Sequence, residues 1–159
     1  MPLFDHIFGK TIVNIQRLDS EADYEFYSPN AIIFSLDNST EKLIISVMND
    51  GSSVDIRMSS EEKIAEDHGL EFSEQILIDL KKNDELSVFI GDRLKSIKIA
   101  EFILPEITGS NFVLKQGRYA GLEVKTNGHK LLFQNNYGGW CDIDDDSVEL
   151  PNPERWQWK

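Results

Sequence analysis

Five carboxylates fall close together near the C-terminal end, Asp142, Asp144, Asp145, Asp146 and Glu149, and hard cations such as calcium take oxygen ligands from groups so spaced. The specific pattern is not met. A calcium loop opening at Asp142 would put Ser147 where glycine is required and Pro153 where a bidentate glutamate is required. The run therefore reads as a solvated acidic loop, and no metal is expected. The three histidines, His6, His68 and His129, are scattered, with no partner at a spacing such as His-Glu-x-x-His. Cys141 is the single cysteine. It would need a neighbouring base or positive charge to act as a nucleophile, and the aspartates that follow it push the other way. No serine sits in a Gly-x-Ser-x-Gly elbow, and the glycines of Tyr137-Gly138-Gly139-Trp140 lack the lysine and Ser/Thr of a phosphate loop. The expectation is a non-enzyme without catalytic residue or cofactor.

What remains is recognition. Tyr137, Trp140, Asp142, Asp144 and Asp145 bring aromatic anchors and a charged rim into one short stretch, which suits the surface of a basic protein. The competing reading is that Trp140 only packs. The charge agrees with a basic partner or with simple solubility: 28 acidic residues against 16 basic give a formal net charge of −12. Such a field repels phosphate backbones, so a nucleic-acid partner is not expected. No apolar run approaches the ~20 residues that a membrane span needs. The start, Met1-Pro2-Leu3-Phe4-Asp5-His6, lacks a basic segment followed by an apolar one, and the lone cysteine offers no internal disulfide. The expected location is the cytoplasm.

These residues must be positioned by hairpins. In Gly121 to Ile143 the dipeptide Asn127-Gly128 predicts a two-residue turn with φ > 0 at both positions. With Thr126 opposite His129, Val124 faces Leu131 and Leu122 faces Phe133. Those side chains form a core face, while Glu123, Lys125, Lys130, Leu132 and Gln134 point away. A second hairpin joins Ala31–Leu36 to Lys42–Met48, and Asn49-Asp50-Gly51 turns the chain into a strand from Val54 to Met58. Lys42-Leu43-Ile44-Ile45-Ser46 resembles Lys130-Leu131-Leu132-Phe133-Gln134, with Gly51 set against Gly139 and Asp55-Ile56 against Asp142-Ile143. Upstream, Phe8-Gly9-Lys10-Thr11-Ile12 resembles Ile90-Gly91-Asp92-Arg93-Leu94, each followed three residues later by isoleucine. Offsets so long exclude a solenoid and predict a two-copy duplication.

The remaining segments fill in around the copies. Pro2–Phe8 and Asp84–Ile90 are expected to be short helical turns, ended by Gly9 and Gly91 in left-handed geometry. Strands follow them at 10–18 and 94–103. A short strand is expected around Tyr24, Phe26 and Tyr27. Ser60 to His68 is expected to be a helix, from the capping-box spacing of Ser59 and Glu62 and the cap at Gly69. Phe72–Leu80 reads as strand, Pro105–Gly109 as loop, and Asn111–Lys115 as strand. The tail reads as irregular, with Trp156 and Trp158 on one face of a terminal strand and packing on the domain.

The whole is expected to be a single domain, 1–159, of α+β class and mainly β. It would hold two similar halves, 1–58 and 84–145, joined by 59–83, with a few short helices. The acidic surface and the hairpin ending in Asn-x-Gly-Gly resemble small bacterial proteins grouped with the immunity proteins of polymorphic toxin systems. That resemblance covers the two hairpins and implies a stoichiometric binder that neutralises a cationic toxin. Three alternatives compete: a carbohydrate or small-ligand module stacking on Tyr137, Trp140, Trp156 and Trp158, a hydrolase using the clustered acids with a metal, and a structural subunit using the tryptophan tail as an interface.

Overall fold

The computed structural model describes residues 2–19, 29–48, 51–60, 76–103, 106–108, 111–113, 119–136 and 138–159. Antiparallel pairing dominates. Strands β1 (Ile12–Asp19), β2 (Ala31–Leu36), β3 (Lys42–Val47) and β4 (Val54–Ser59) form one meander, and β5 (Ile76–Asp79) adds to the free side of β1. Strands β6 (Leu94–Phe102), β9 (Tyr119–Thr126), β10 (Lys130–Asn135) and β11 (Gly139–Ile143) form a second, with β12 (Trp156–Trp158) beside β6. Among the described residues, β7 (Glu106–Thr108) and β8 (Asn111–Val113) pair only with each other.

The two meanders share register. Ile15 faces Phe34 and Phe34 faces Leu43 in the first; Ile97 faces Val124 and Val124 faces Leu131 in the second. Each has an irregularity one residue into its first strand, between Ile12 and Asn14 and between Leu94 and Ser96. A bulge at the same place re-aims the following side chains in the same way. Ile12 and Leu94 are thus buried, and so are Ile15 and Ile97.

The starts of β1 and β6 meet at an antiparallel bridge between Thr11 and Arg93, around which the hydrogen bonds come in matched pairs. Gly9 N–H donates to the Leu94 carbonyl and Gly91 N–H to that of Ile12, both at 2.8 Å. The turn between β2 and β3 caps Thr11, whose N–H donates to Asp37 Oδ1 at 2.7 Å, and the turn between β9 and β10 caps Arg93, whose N–H donates to Asn127 Oδ1 at 2.8 Å. Tyr119 of β9 also pairs with Val54 of β4, so the strands run as one curled antiparallel sheet around a shared core. Phe4, Phe34, Phe89 and Phe133 are all enclosed in that core. Burial of each is worth roughly 1.5–3 kcal/mol.

Several expectations change. Among the described residues the fold is mainly β: the short helices at Pro2–Ile7 and Glu85–Phe89 are 3-10 turns, and so is Pro153–Arg155. Gly9 and Gly91 do take positive φ, +88° and +92°. The Asn127-Gly128 turn does not, because tertiary bonds fix it instead. His129 N–H donates to Thr126 Oγ1, the Thr126 hydroxyl donates to Asp92 Oδ2, and Asn127 N–H donates to the Arg93 carbonyl. The expected loop at 105–109 contains strand β7. The expected match of Asp55-Ile56 with Asp142-Ile143 is also shifted. Pairing sets Ile45 opposite Ile56 and Phe133 opposite Cys141, so Asp55, Ile56 and Arg57 stand where Trp140, Cys141 and Asp142 stand. The helix expected at 60–68 and the strand around 24–27 lie outside the described residues.

Candidate functional site

Trp140 and Asp142 alternate with Cys141 along β11, so Cys141 enters the core while the other two share the outer face. Among the described residues no strand pairs with the far side of β11. Trp140 remains 44% exposed there. Asp142 lies opposite Leu132, with Trp140 opposite Gln134. Burial pushes the Asp142 carboxyl above its usual range, while bonds from Trp140 and Gln134 pull it down. Its Oδ2 atom is shielded from solvent without a hydrogen-bond partner.

Asp144 and Asp145 are exposed beyond the strand end, and their carboxylates are engaged within the molecule. Asp144 takes φ = +56°, bonds His129 Nδ1 at 2.6 Å and accepts from Lys130 N–H at 2.8 Å. Those bonds hold its carboxyl below the usual range, the His129 contact contributing most. Asp145 accepts from the Ser147 hydroxyl and N–H, which also lowers its pKa, and Asp146 pairs with Lys130. These acids therefore brace the chain where it leaves β11. Tyr137 lies outside the described residues. Of the stretch singled out in the sequence, Trp140 and Asp142 are brought together on one face, and Asp144 and Asp145 lie at its margin.

The tail crosses that same face. Leu150 is buried against Gly121, where a Cβ atom would meet the leucine side chain at 2.6 Å, and it packs with Ala100 and Leu132. The Trp156 indole N–H donates to the Pro151 carbonyl at 2.9 Å and fixes the ring. Trp158, 38% exposed, meets Trp156 edge-to-face with centroids 5.2 Å apart. The rings share one side of a strand, but only Trp156 packs on the domain, against the Ala100, Leu132 and Leu150 cluster, and both wall a cavity of about 290 Å3 with Glu123, Leu132, Glu149 and Leu150. Glu123 lies beside Leu132 on the side away from Asp142. Its Oε1 is also shielded without a hydrogen-bond partner, although Lys125 Nζ stands 3.6 Å away. The alternation of β9 places Glu123 on the outer face but gives no sign that the tail roofs it.

A buried charge cluster is the feature that sequence reasoning missed. Arg17 of β1 is fully buried and its guanidinium contacts Asp19 Oδ2 at 2.7 Å and Asp84 Oδ2 at 3.1 Å. Asp84 simultaneously caps the second 3-10 turn, accepting from Leu86 N–H at 3.0 Å. The signal was an arginine in the apolar phase of β1, at the position that Ile99 occupies in β6. Arg17 also pulls down the pKa of Cys141, but burial dominates and drives that thiol far above its usual range, which leaves it protonated and unreactive at neutral pH. Among the described residues, no three of His, Cys, Asp and Glu converge as metal ligands, and no helix is long and apolar enough to cross a membrane. No family model, curated protein or solved structure matches the chain.

Proposed function

We propose that this chain is a non-enzymatic cytoplasmic binding protein that docks a basic protein on the outer face of β9, β10 and β11, in the manner of an immunity-type inhibitor. The observation that carries this reading is Trp140, a half-exposed indole beside Asp142 on a strand that, among the described residues, is paired on one side only. Buried aromatic anchors ringed by charge dominate protein interfaces. The formal charge of −12 favours a cationic partner and speeds its encounter. The two meanders are read as copies of one unit, supported by their common register, matched bulges and paired bonds around Thr11 and Arg93. On that reading β4 and β11 have diverged most, with Trp140 in the place of Asp55 and Asp142 in the place of Arg57, and divergence is where a new binding function would arise.

Affinity capture from the native host tests the proposal. A cationic protein should be recovered with wild-type chain and lost with Trp140→Ala, whereas capture that is indifferent to Trp140 and Asp142 would contradict it. The cavity walled by Trp156 and Trp158 favours a second reading, a carbohydrate or small-ligand module. A saturable response to neutral oligosaccharides would select that alternative.

A further inference from the structure

The cavity roofed by the tail carries two features that solubility does not require. Glu123 Oε1 is withdrawn from water with no hydrogen bond, facing only the Lys125 ammonium at 3.6 Å, and native structures rarely leave a shielded carboxylate oxygen without a hydrogen bond. Beside it stand two indoles held edge-to-face, one of them locked by its bond to Pro151. A shielded carboxylate next to aromatic faces is complementary to a cation that is flat, donates several hydrogen bonds and stacks. Glu149 adds a second negative charge to the wall. Lys130 reaches the rim, but its ammonium is paired with Asp146. Lys125, the cation nearest Glu123, is 46% exposed at its side chain and 3.6 Å away, a weak surface pair. At about 290 Å3 the space lies at the bottom of the ~300–1,000 Å3 range of small-molecule sites, which suits one side chain better than a chain of sugar rings.

We infer that this cavity is the seat for an arginine side chain of the basic partner, its guanidinium donating to Glu123 and stacking on Trp158. The inference rests on the proposed binding function and names the chemistry of its anchor. Leu132 separates Glu123 from Asp142, so the arginine seat and the Trp140 edge belong to one continuous face. Lysine fits less well, since its compact ammonium neither stacks as a plane nor forks its donors.

Hexa-arginine and hexa-lysine peptides serve as probes, titrated by calorimetry and by tryptophan fluorescence in a Trp140→Phe background that leaves only the two tail indoles to report. Hexa-arginine should bind saturably and about tenfold or more tighter than hexa-lysine. Glu123→Gln and Trp158→Ala should each weaken it about tenfold or more, while Trp158→Phe largely retains binding. Asp5→Asn, an exposed carboxylate outside the cavity wall, should change it less than about twofold. Circular dichroism separates loss of binding from loss of fold, and if Glu123→Gln unfolds the chain, the contrast of Trp158→Phe with Trp158→Ala decides. Equal affinity for the two peptides, or hexa-arginine binding indifferent to the Trp158 variants, would overturn the inference. So would a neutral oligosaccharide that shifts the same fluorescence without regard to Glu123→Gln. A captured basic partner that binds the double variant Glu123→Gln, Trp158→Ala at full strength would sink the arginine seat and leave the broader binding function standing. Specific hexa-arginine binding with no basic partner recovered from the host would do the reverse.

Discussion

Glycine matters here for two different reasons, and substitution separates them. Gly9 and Gly91 sit at φ = +88° and +92° with open space where a Cβ would go, so alanine introduces backbone strain alone. Each Gly→Ala change should cost about 1 kcal/mol in denaturant unfolding, and equally at the two sites if their environments are equivalent. Gly139 differs: a Cβ added there would collide with the Pro29 carbonyl oxygen, so Gly139→Ala should cost more, about 1–3 kcal/mol, through forced backbone movement. Arg17 makes a sharper prediction. Asp84→Ala removes one of its two buried carboxylate contacts and the cap of a 3-10 turn together, leaving the guanidinium to Asp19 alone. A loss of about 2–3 kcal/mol is expected, measured by the same unfolding curves. A loss under about 1 kcal/mol would mean the cluster is not holding β1 to that turn.

At the scale of elements, the exit of β11 is an electrostatic clasp. Asp144 binds the His129 ring and the Lys130 backbone, and its folded-state pKa lies below the ordinary value of 3.8. A depressed carboxyl pKa contributes stability above the unfolded-chain value, and that contribution is lost as the pH falls through the folded one. Asp144→Asn should therefore lower stability near neutrality and flatten the fall below about pH 4, followed by thermal unfolding across pH. Asp142 has the opposite sign, since burial raises its pKa and ionisation there costs stability. Asp142→Asn should leave the fold as stable or more so at neutral pH, which makes it a clean probe of binding. Much of this element was legible beforehand: the facing of Val124 with Leu131 and Leu122 with Phe133 follows from a two-residue turn at Asn127-Gly128 together with alternation. The turn geometry was not, because Asp92 and Arg93, distant in sequence, outbid the local preference of Asn127-Gly128. Nor was the crossing of Leu150 over Gly121, since nothing local in an irregular tail says where it will pack.

For the whole molecule, the sequence showed a repeated pattern starting at Phe8 and at Ile90, and the structure sets those two stretches side by side at Thr11 and Arg93. What alternation could not show is how the last strand of each meander aligns: the residues between β3 and β4 and between β10 and β11 differ in number, so matching Asp55-Ile56 with Asp142-Ile143 by similarity misplaced it by two positions. Long-range pairing such as Arg17 with Asp84 is invisible for the same reason, being decided by the packing of halves rather than by neighbours in the chain. The acidic charge is likewise a property of the whole, and its meaning is decided in solution. The measurement that tests the central claim most directly is the association and dissociation rate of the captured cationic partner from ~0.01 to ~1 M salt, over which the screening length shrinks from about 30 to 3 Å. With wild-type chain the association rate should fall steeply with salt; Asp142→Asn should lower it, and Trp140→Ala should chiefly speed dissociation. Association that is flat across this range, or rates unchanged by both substitutions, would contradict binding through this face.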